Sequence, residues 1–247
     1  MLTTFFNEHP KVALAFSGGV DSSYLLYEGV KSGADICGYY VKSQLQPEFE
    51  LQDALRLAED VGGRLKVLRF NILSSPGITE NSPRRCYFCK KELFGLIARA
   101  ALTDGYTQLI DGNNASDNAD DRPGMMAAHE LGVLSPLREQ GLTKQDIRTL
   151  SRNANLFTWD KPAYSCLGTR VPSGREISAE LLANIERGEG ALFKLGFSNF
   201  RLRANGPDAL LQLPQAQHGP ATKMWETIKN NLSADFESVK LDPNPRR

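Results

Sequence analysis

Two stretches of this 247-residue chain carry residue types and spacings that could do chemistry. The first is AFSGGVDSS, residues 15–23. Gly18 and Gly19 let the backbone turn sharply. Val20, Asp21, Ser22 and Ser23 then open a helix whose first N–H groups lack intrahelical partners. Such a helix end carries roughly +0.5 of an elementary charge and attracts phosphate. Ser17, Ser22 and Ser23 add hydroxyl donors, and Asp21 stands where it could hold a magnesium ion bridging phosphates. The G-x-x-x-x-G-K-[ST] spacing of a Walker A loop does not fit. A plain Gly-Gly turn with a serine cap is the bland alternative.

The second stretch is PRRCYFCKKELF, residues 83–94, a Cys-x-x-C opening an amphipathic helix. The chain has four cysteines, Cys37, Cys86, Cys89 and Cys166, and no second Cys-x-x-C to close a zinc site. Cys37 falls mid-strand in ICGYY and reads as buried filler. Cys166 lies in KPAYSCLGTR between Lys161 and Arg170, cations that can lower a thiol pKa. For Cys86 and Cys89, a dithiol redox pair and a zinc site completed by His129 or Cys37 stay open. Arg201 and Arg203, in FRLRA, point to one side of a strand, with Phe200 and Leu202 on the other. Two guanidinium forks suit a phosphate or carboxylate, and a solvated strand face is the alternative.

Strands alternating with helices must position these groups. An apolar run at 11–17, strands at 34–42 and 64–73, and a fourth strand that runs into a loop within 107–117, with helices between them, predict an α/β fold with a parallel sheet covered on both faces. Ligands of such sheets bind at the carboxyl ends of the strands. The glycine turn falls there, as do Asp111 and Asn113 at the tip of the fourth strand. Asp117, Asp120 and Asp121 could hold a second magnesium ion, but Asp120 and Asp121 read better as turn residues. Thr143 and Asp146 form a modified capping box for a helix over 142–156. The segment 157–174 is rich in Pro and Gly and reads as a functional loop. Beyond it, a helix (178–196), FRLRA, ALLQL, a helix around ATKMWETIKNNL and the strand ESVKL predict a small α+β domain. The expected domains are therefore 1–174 and 175–247, with the tail DPNPRR frayed.

The totals narrow the partners. Lys and Arg balance Asp and Glu at 29 each. A net charge of zero argues against nucleic acid and for a small-molecule substrate. No apolar run approaches the ~18 residues of a membrane span, and the N-terminus does not read as a leader. Four cysteines make no disulfide framework in a chain of this size, so a reducing cytoplasm is the expected setting.

The string S-G-G-x-D-S after a first apolar strand resembles the PP-loop of the N-type ATP pyrophosphatase superfamily. That resemblance implies ATP cleavage between the α- and β-phosphates, an adenylated substrate and released pyrophosphate. Superfamily members then use ammonia or sulfur as nucleophile, and the thiols here favour sulfur. SGGVDS, the cysteine helix, DGNNASDNADDRPG, KPAYSCLGTRVPSG and LGFSNFRLRANG follow the order seen in LarE-type proteins, over nearly the whole chain. The resemblance implies conversion of the carboxylates of pyridinium-3,5-biscarboxylic acid mononucleotide to thiocarboxylates, on the route to the nickel-pincer nucleotide of lactate racemase. It implies ATP and Mg as cofactors and Arg201 and Arg203 as substrate-binding residues, with Arg170 and Lys91 as further candidates. Glu189 matches a family acidic position loosely, and a solvated helix face explains it as well.

In the sacrificial-sulfur form of the family, a cysteine matching Cys166 gives up its own sulfur and becomes dehydroalanine. This sequence departs from that form by carrying Cys86 and Cys89 too. Relatives with three such cysteines imply a [4Fe-4S] cluster ligated by Cys86, Cys89 and Cys166, with one iron open to sulfide from a donor. The rival readings are a tRNA 2-thiolation enzyme, a nucleotide-binding Fe–S carrier and an amide-forming synthetase. A cytoplasmic homo-oligomer is expected.

Overall fold

The computed structural model describes residues 2–117 and 123–246, so Asp120 and Asp121 lie outside the described residues. In chain order the elements begin α1 (Leu2–Glu8), β1 (Lys11–Ala15), α2 (Val20–Lys31), β2 (Asp35–Lys42), α3 (Glu48–Asp60) and β3 (Arg64–Arg69). The short α4 (Pro76–Thr79) precedes α5 (Arg85–Thr103), whose first turns hold Cys86 and Cys89. Next come β4 (Leu109–Ile110), α6 (Pro123–Glu130), α7 (Pro136–Glu139) and α8 (Lys144–Asn153). The remainder is α9 (Ala179–Lys194), β5 (Arg201–Asn205), β6 (Asp208–Gln212), α10 (Gln215–Lys223), α11 (Trp225–Leu232) and β7 (Ser238–Leu241).

Two compact units divide the chain, one formed by Met1–Phe70 with Cys86–Lys161, the other by Asn71–Arg85 with Pro162–Arg247. This differs from the expected division at 174/175. Segments 71–85 and 162–174 belong with the second unit because they clasp one another. Asn81 is 2% exposed and left-handed, at φ 53°. Its Nδ2 donates to the carbonyls of Val171 (3.3 Å) and Pro172 (2.8 Å). Its own carbonyl accepts from Gly174 N and Ser173 Oγ. Arg85 spans the same two segments, donating to Asn81 Oδ1 and to the carbonyl of Gly168.

In the first unit, β3-β2-β1-β4 form a parallel sheet among the described residues. Alternation along the strands buries both faces, as a parallel sheet requires. Val12 and Leu14 join one core with Leu25, Leu26, Leu57 and Ile147. Ala13, Tyr39 and Val41 join the other with Phe94, Ile97 and Ala101 of α5. Cys37 sits in that second core, where burial pushes its thiol pKa up. It is core filler, as its strand position predicts. The expected capping box is present at α8, with Thr143 and Asp146 bonded reciprocally.

Within 107–117 the strand covers Leu109–Ile110 and gives way to the expected loop at Asp111. After Ile110 the chain turns, because Asp111 accepts the Asn113 N–H in an Asx-type turn. The second unit carries β5 antiparallel to β6 and β6 parallel to β7. Its helical segment after β6 is broken at Met224 into α10 and α11 rather than continuous. No described helix is long and apolar enough to cross a membrane.

The clasp yields a stability prediction. Asn81→Gly keeps the left-handed backbone but leaves the buried Val171 carbonyl, and the partly buried Pro172 carbonyl, without their amide donor. An unsatisfied buried group costs about 1–3 kcal/mol, so urea denaturation should show a loss in that range. A loss within error of zero would mean that the clasp does not hold the two segments.

Candidate active site

The glycine turn depends on backbone freedom. Gly18 takes φ +71°, which a side chain would strain. The helix cap is Gly19, which makes no side-chain hydrogen bond to the helix start. A serine cap, the bland reading of this string, is therefore excluded. Ser17 and Ser22 tie the turn together: Ser22 Oγ accepts from Ser17 N (3.2 Å) and donates to the Gly19 carbonyl (3.2 Å). Ser23 is fully buried, and its hydroxyl has no hydrogen-bond partner among the described residues.

The segment after β4 closes on this turn. A Cβ on Gly112 would lie 3.1 Å from Ser22 N and 3.2 Å from Asp21 Cβ, so only glycine permits so close an approach. Asp111 is 3% exposed and accepts from Asn113 N (3.0 Å) and Ser135 Oγ (2.8 Å). Burial raises its pKa above the usual carboxylate range. Asn113, the residue singled out by sequence, folds back onto Asp111. Its neighbour Asn114 reaches the turn instead, with Nδ2 3.2 Å from Asp21 Oδ1. Asp117 serves the turn itself, accepting from Asn114 N at 3.0 Å.

Lys144, at the start of α8, pairs with the other oxygen of Asp21. Sequence reasoning missed this residue. The one signal was a lysine in the first turn of a helix, where it opposes the helix dipole. Asp21 is thus already charge-paired by an ammonium. Among the described residues, no group of three or more His, Cys, Asp and Glu side chains is arranged to hold a metal ion.

Both thiols of α5 reach the surface to some degree, Cys86 exposed and Cys89 half-buried. Lys91, on the same helix, is exposed, 3.9 Å from Glu130 Oε2 and 3.4 Å from the Tyr87 hydroxyl.

In the second unit, Cys166 is half-buried and caps a 3-10 turn over Leu167–Arg170. Its carbonyl accepts from Thr169 N (3.0 Å) and Thr169 Oγ1 (2.8 Å). Arg170 is fully buried and donates Nε and Nη2 to the two oxygens of Glu189, at 2.8 and 3.0 Å. Its Nη1 bonds the Ser165 carbonyl at 2.6 Å, and the guanidinium lies 4.3 Å from the Tyr164 ring centre. These bonds commit Arg170 to shaping the loop that bears Cys166.

Glu189, 1% exposed, also accepts from Leu202 N (3.1 Å) and the Tyr164 hydroxyl. The solvated-face explanation of Glu189 is therefore wrong. Phe200 and Leu202 are buried as expected, but the arginine pair is unequal. Arg201 is 8% exposed and donates to the carbonyls of Phe200 (2.9 Å) and Ala163 (3.0 Å). Burial, with the charges of Arg170 and Arg246, lowers its pKa to about 10. Arg203 is exposed, donating Nε to Gln212 Oε1 (2.6 Å) and Nη1 to the Thr169 carbonyl (3.2 Å).

No protein-family model matches the chain. It is 39% identical to an uncharacterised protein of Synechocystis sp., over 87% of this chain and 81% of that protein. It is 30% identical to the pyridinium-3,5-bisthiocarboxylic acid mononucleotide synthase of Lactiplantibacillus plantarum, over 94% of this chain and 85% of that enzyme. It is 26% identical to the tRNA-specific 2-thiouridylase MnmA of Pseudothermotoga lettingae, over 61% of this chain but only 54% of that enzyme.

Two outcomes follow from the buried acids. Glu189→Ala strands the Arg170 charge, and breaking a buried pair costs about 3–5 kcal/mol. Replacing both residues with Met and Leu should recover much of that loss in urea denaturation. Failure to recover would show that specific hydrogen bonds, not the buried charge, set the cost. For Asp111, the folded-state pKa lies above its ordinary value of 3.8. Its contribution to stability is therefore full below that value and is lost as pH rises through the raised pKa. The stability of the wild type relative to Asp111→Asn should fall over that window, and a flat difference would contradict the burial effect.

Proposed function

The chain belongs to the family of pyridinium-3,5-bisthiocarboxylic acid mononucleotide synthases, ATP-dependent sulfurtransferases of the PP-loop type, and on that premise we propose that it adenylates a carboxylate of a pyridinium-3,5-biscarboxylic acid mononucleotide and exchanges the AMP for sulfur. The observation that carries the reading is the open start of α2, capped by Gly19 without a side chain and flanked by Asp21 and Lys144.

In this mechanism Mg·ATP is a substrate whose pyrophosphate portion lies on the N–H groups that begin α2, beside Ser17 and Ser22. Substrate carboxylate oxygen attacks the α-phosphorus, the bond to the bridging oxygen breaks, and pyrophosphate leaves with the added negative charge. Backbone donors and Lys144 face that charge as it develops, where stabilisation counts most. Asp21 holds Lys144 in place until then, and Asp111 and Asn113 shape the loop whose Asn114 braces Asp21. Sulfur then attacks the acyl carbon and AMP departs. Arg203 and Lys91 are the residues proposed to bind the substrate's anionic groups. Arg170, Glu189 and Arg201 act from beneath by holding the Cys166 loop.

Cys86, Cys89 and Cys166 are the proposed sulfur-handling residues. What supports the reading is donor chemistry alone: these three thiols are reduced and reach the surface, while Cys37 is sealed in a core. Among the described residues they are not gathered into a group that holds a metal. They would be the protein ligands of a [4Fe-4S] cluster with one iron not held by cysteine. When bound, such a cluster supplies an open iron site for sulfide from an external donor. The proposed setting is a reducing cytoplasm, which keeps such thiols available. A small-molecule substrate is favoured over tRNA by the zero net charge and by the half-length match to the thiouridylase.

Asp21→Ala should cut substrate-dependent pyrophosphate release by about 10²–10³-fold, the usual cost of losing a key electrostatic group. Release of ADP and phosphate instead would end the adenylation reading. For sulfur, anaerobic purification with iron and sulfide counts is decisive. Cys86→Ala, Cys89→Ala and Cys166→Ala should each abolish a brown chromophore that Cys37→Ala retains. Dehydroalanine at Cys166 after turnover, with the Cys86 and Cys89 variants still active, would replace the cluster with sacrificial transfer.

A further inference from the structure

The C-terminal tail was expected to fray, but it is held along the small sheet. Past β7, Asp242 N donates to the Leu211 carbonyl (2.9 Å) and Arg246 N to the Leu213 carbonyl (2.8 Å), continuing the pairing beyond the end of β6. The side chain of Arg246 crosses to the residues before β5. Its Nη1 lies 2.6 Å from both the carbonyl and the Oδ1 of Asn199. Since Arg201 pairs with Gln212 in the β5–β6 register, Leu213 and Asn199 flank that same end of the sheet. Arg246 is thereby delivered to the end where Arg201 begins β5.

Charge at this end of the sheet is unbalanced. Glu189 is committed to Arg170. Among the described residues, Arg201, Arg203 and Arg246 have no carboxylate partner within ion-pair distance. Asp242, the acid on the tail, is engaged by Gln212 Nε2 (2.7 Å) and by Asn244 N (3.0 Å). The arginines feel one another: burial and the charges of Arg170 and Arg203 lower the pKa of Arg246. Arg201 spends its donors on carbonyls and the Ser165 hydroxyl. Arg203 and Arg246 each retain an Nη2 with no protein acceptor among the described residues.

We propose that Arg246 and Arg203 together form an oxyanion-binding face of the second unit, which takes the phosphate monoester of the mononucleotide. This rests on the proposed function for its ligand. Two guanidinium forks with no counter-charge among the described residues match a dianion better than a single carboxylate. Arg201, beneath, acts as a positioning residue. The bond from Arg203 Nη1 to the Thr169 carbonyl ties this face to the turn that begins at Cys166.

The test is calorimetric titration of the full chain with nicotinic acid mononucleotide, the corresponding nucleoside lacking phosphate, and inorganic phosphate. Each charged hydrogen bond lost corresponds to roughly a tenfold to hundredfold weakening. Arg246→Ala and Arg246→Gln should both weaken the mononucleotide by that factor and leave the nucleoside unchanged. The Gln variant keeps a donor for Asn199, so it separates loss of charge from loss of the tail's anchorage. Weakening by Ala alone would reduce Arg246 to a structural anchor and overturn the inference. Unchanged mononucleotide affinity in both variants, with Arg203→Ala impaired, would overturn it while sparing the substrate reading. Tight inorganic phosphate without mononucleotide binding would overturn the phosphate-monoester assignment. No binding of the mononucleotide by the wild type would remove the substrate reading and this inference together.

Discussion

The second unit depends on one buried carboxylate. Glu189 is nearly inaccessible, and an unpaired charge there would cost several kcal/mol after relaxation. It is satisfied by two nitrogens of Arg170, the Tyr164 hydroxyl and the backbone of Leu202. Those donors come from the loop bearing Cys166 and from strand β5, while Glu189 itself sits on α9. Meeting the needs of one acid therefore fixes the loop, the helix and the strand against each other. The Tyr164 ring lies against the guanidiniums of Arg170 and Arg201, at 4.3 and 5.6 Å, so the same cluster seats the buried member of the arginine pair. Hydrogen bonds to the Cys166 carbonyl from Thr169 and Arg170 fix the backbone that bears the thiol.

The first unit solves the opposite electrostatic problem. There the structure leaves positive potential open at the start of α2 and arranges protein groups around it without closing it. Asp21 would repel a phosphate if left alone. Its pairing with Lys144 and Asn114 balances that charge, and in the proposed reaction the same lysine is the cation a phosphate would share. Gly112 permits that arrangement, since a side chain there would force the Asp111–Asn114 segment away from Asp21. Each unit thus handles charge by a different route, one by exposing helix donors and the other by collecting arginines over a buried acid.

Sequence by itself determined the features that depend on local geometry. The glycine turn, the parallel strands with two buried faces, the capping box at Thr143, the helix carrying Cys86 and Cys89, and the buried Phe200 and Leu202 all follow from backbone freedom and side-chain period. Tertiary structure decided the features that depend on pairing across the chain. Asn114 rather than Asn113 braces Asp21 from 93 residues away, and Lys144 meets it from 123 residues away. No periodicity encodes either contact. The clasp between Asn81, Arg85 and the segment 168–174 moved the division between units, since those hydrogen bonds join stretches far apart in sequence. In sequence Glu189 looks like any acid on an exposed helix face, and Arg246 looks like part of a loose end. Burial and long-range hydrogen bonding alone give each its place, because the cost of an unpaired charge depends on what the fold packs around it.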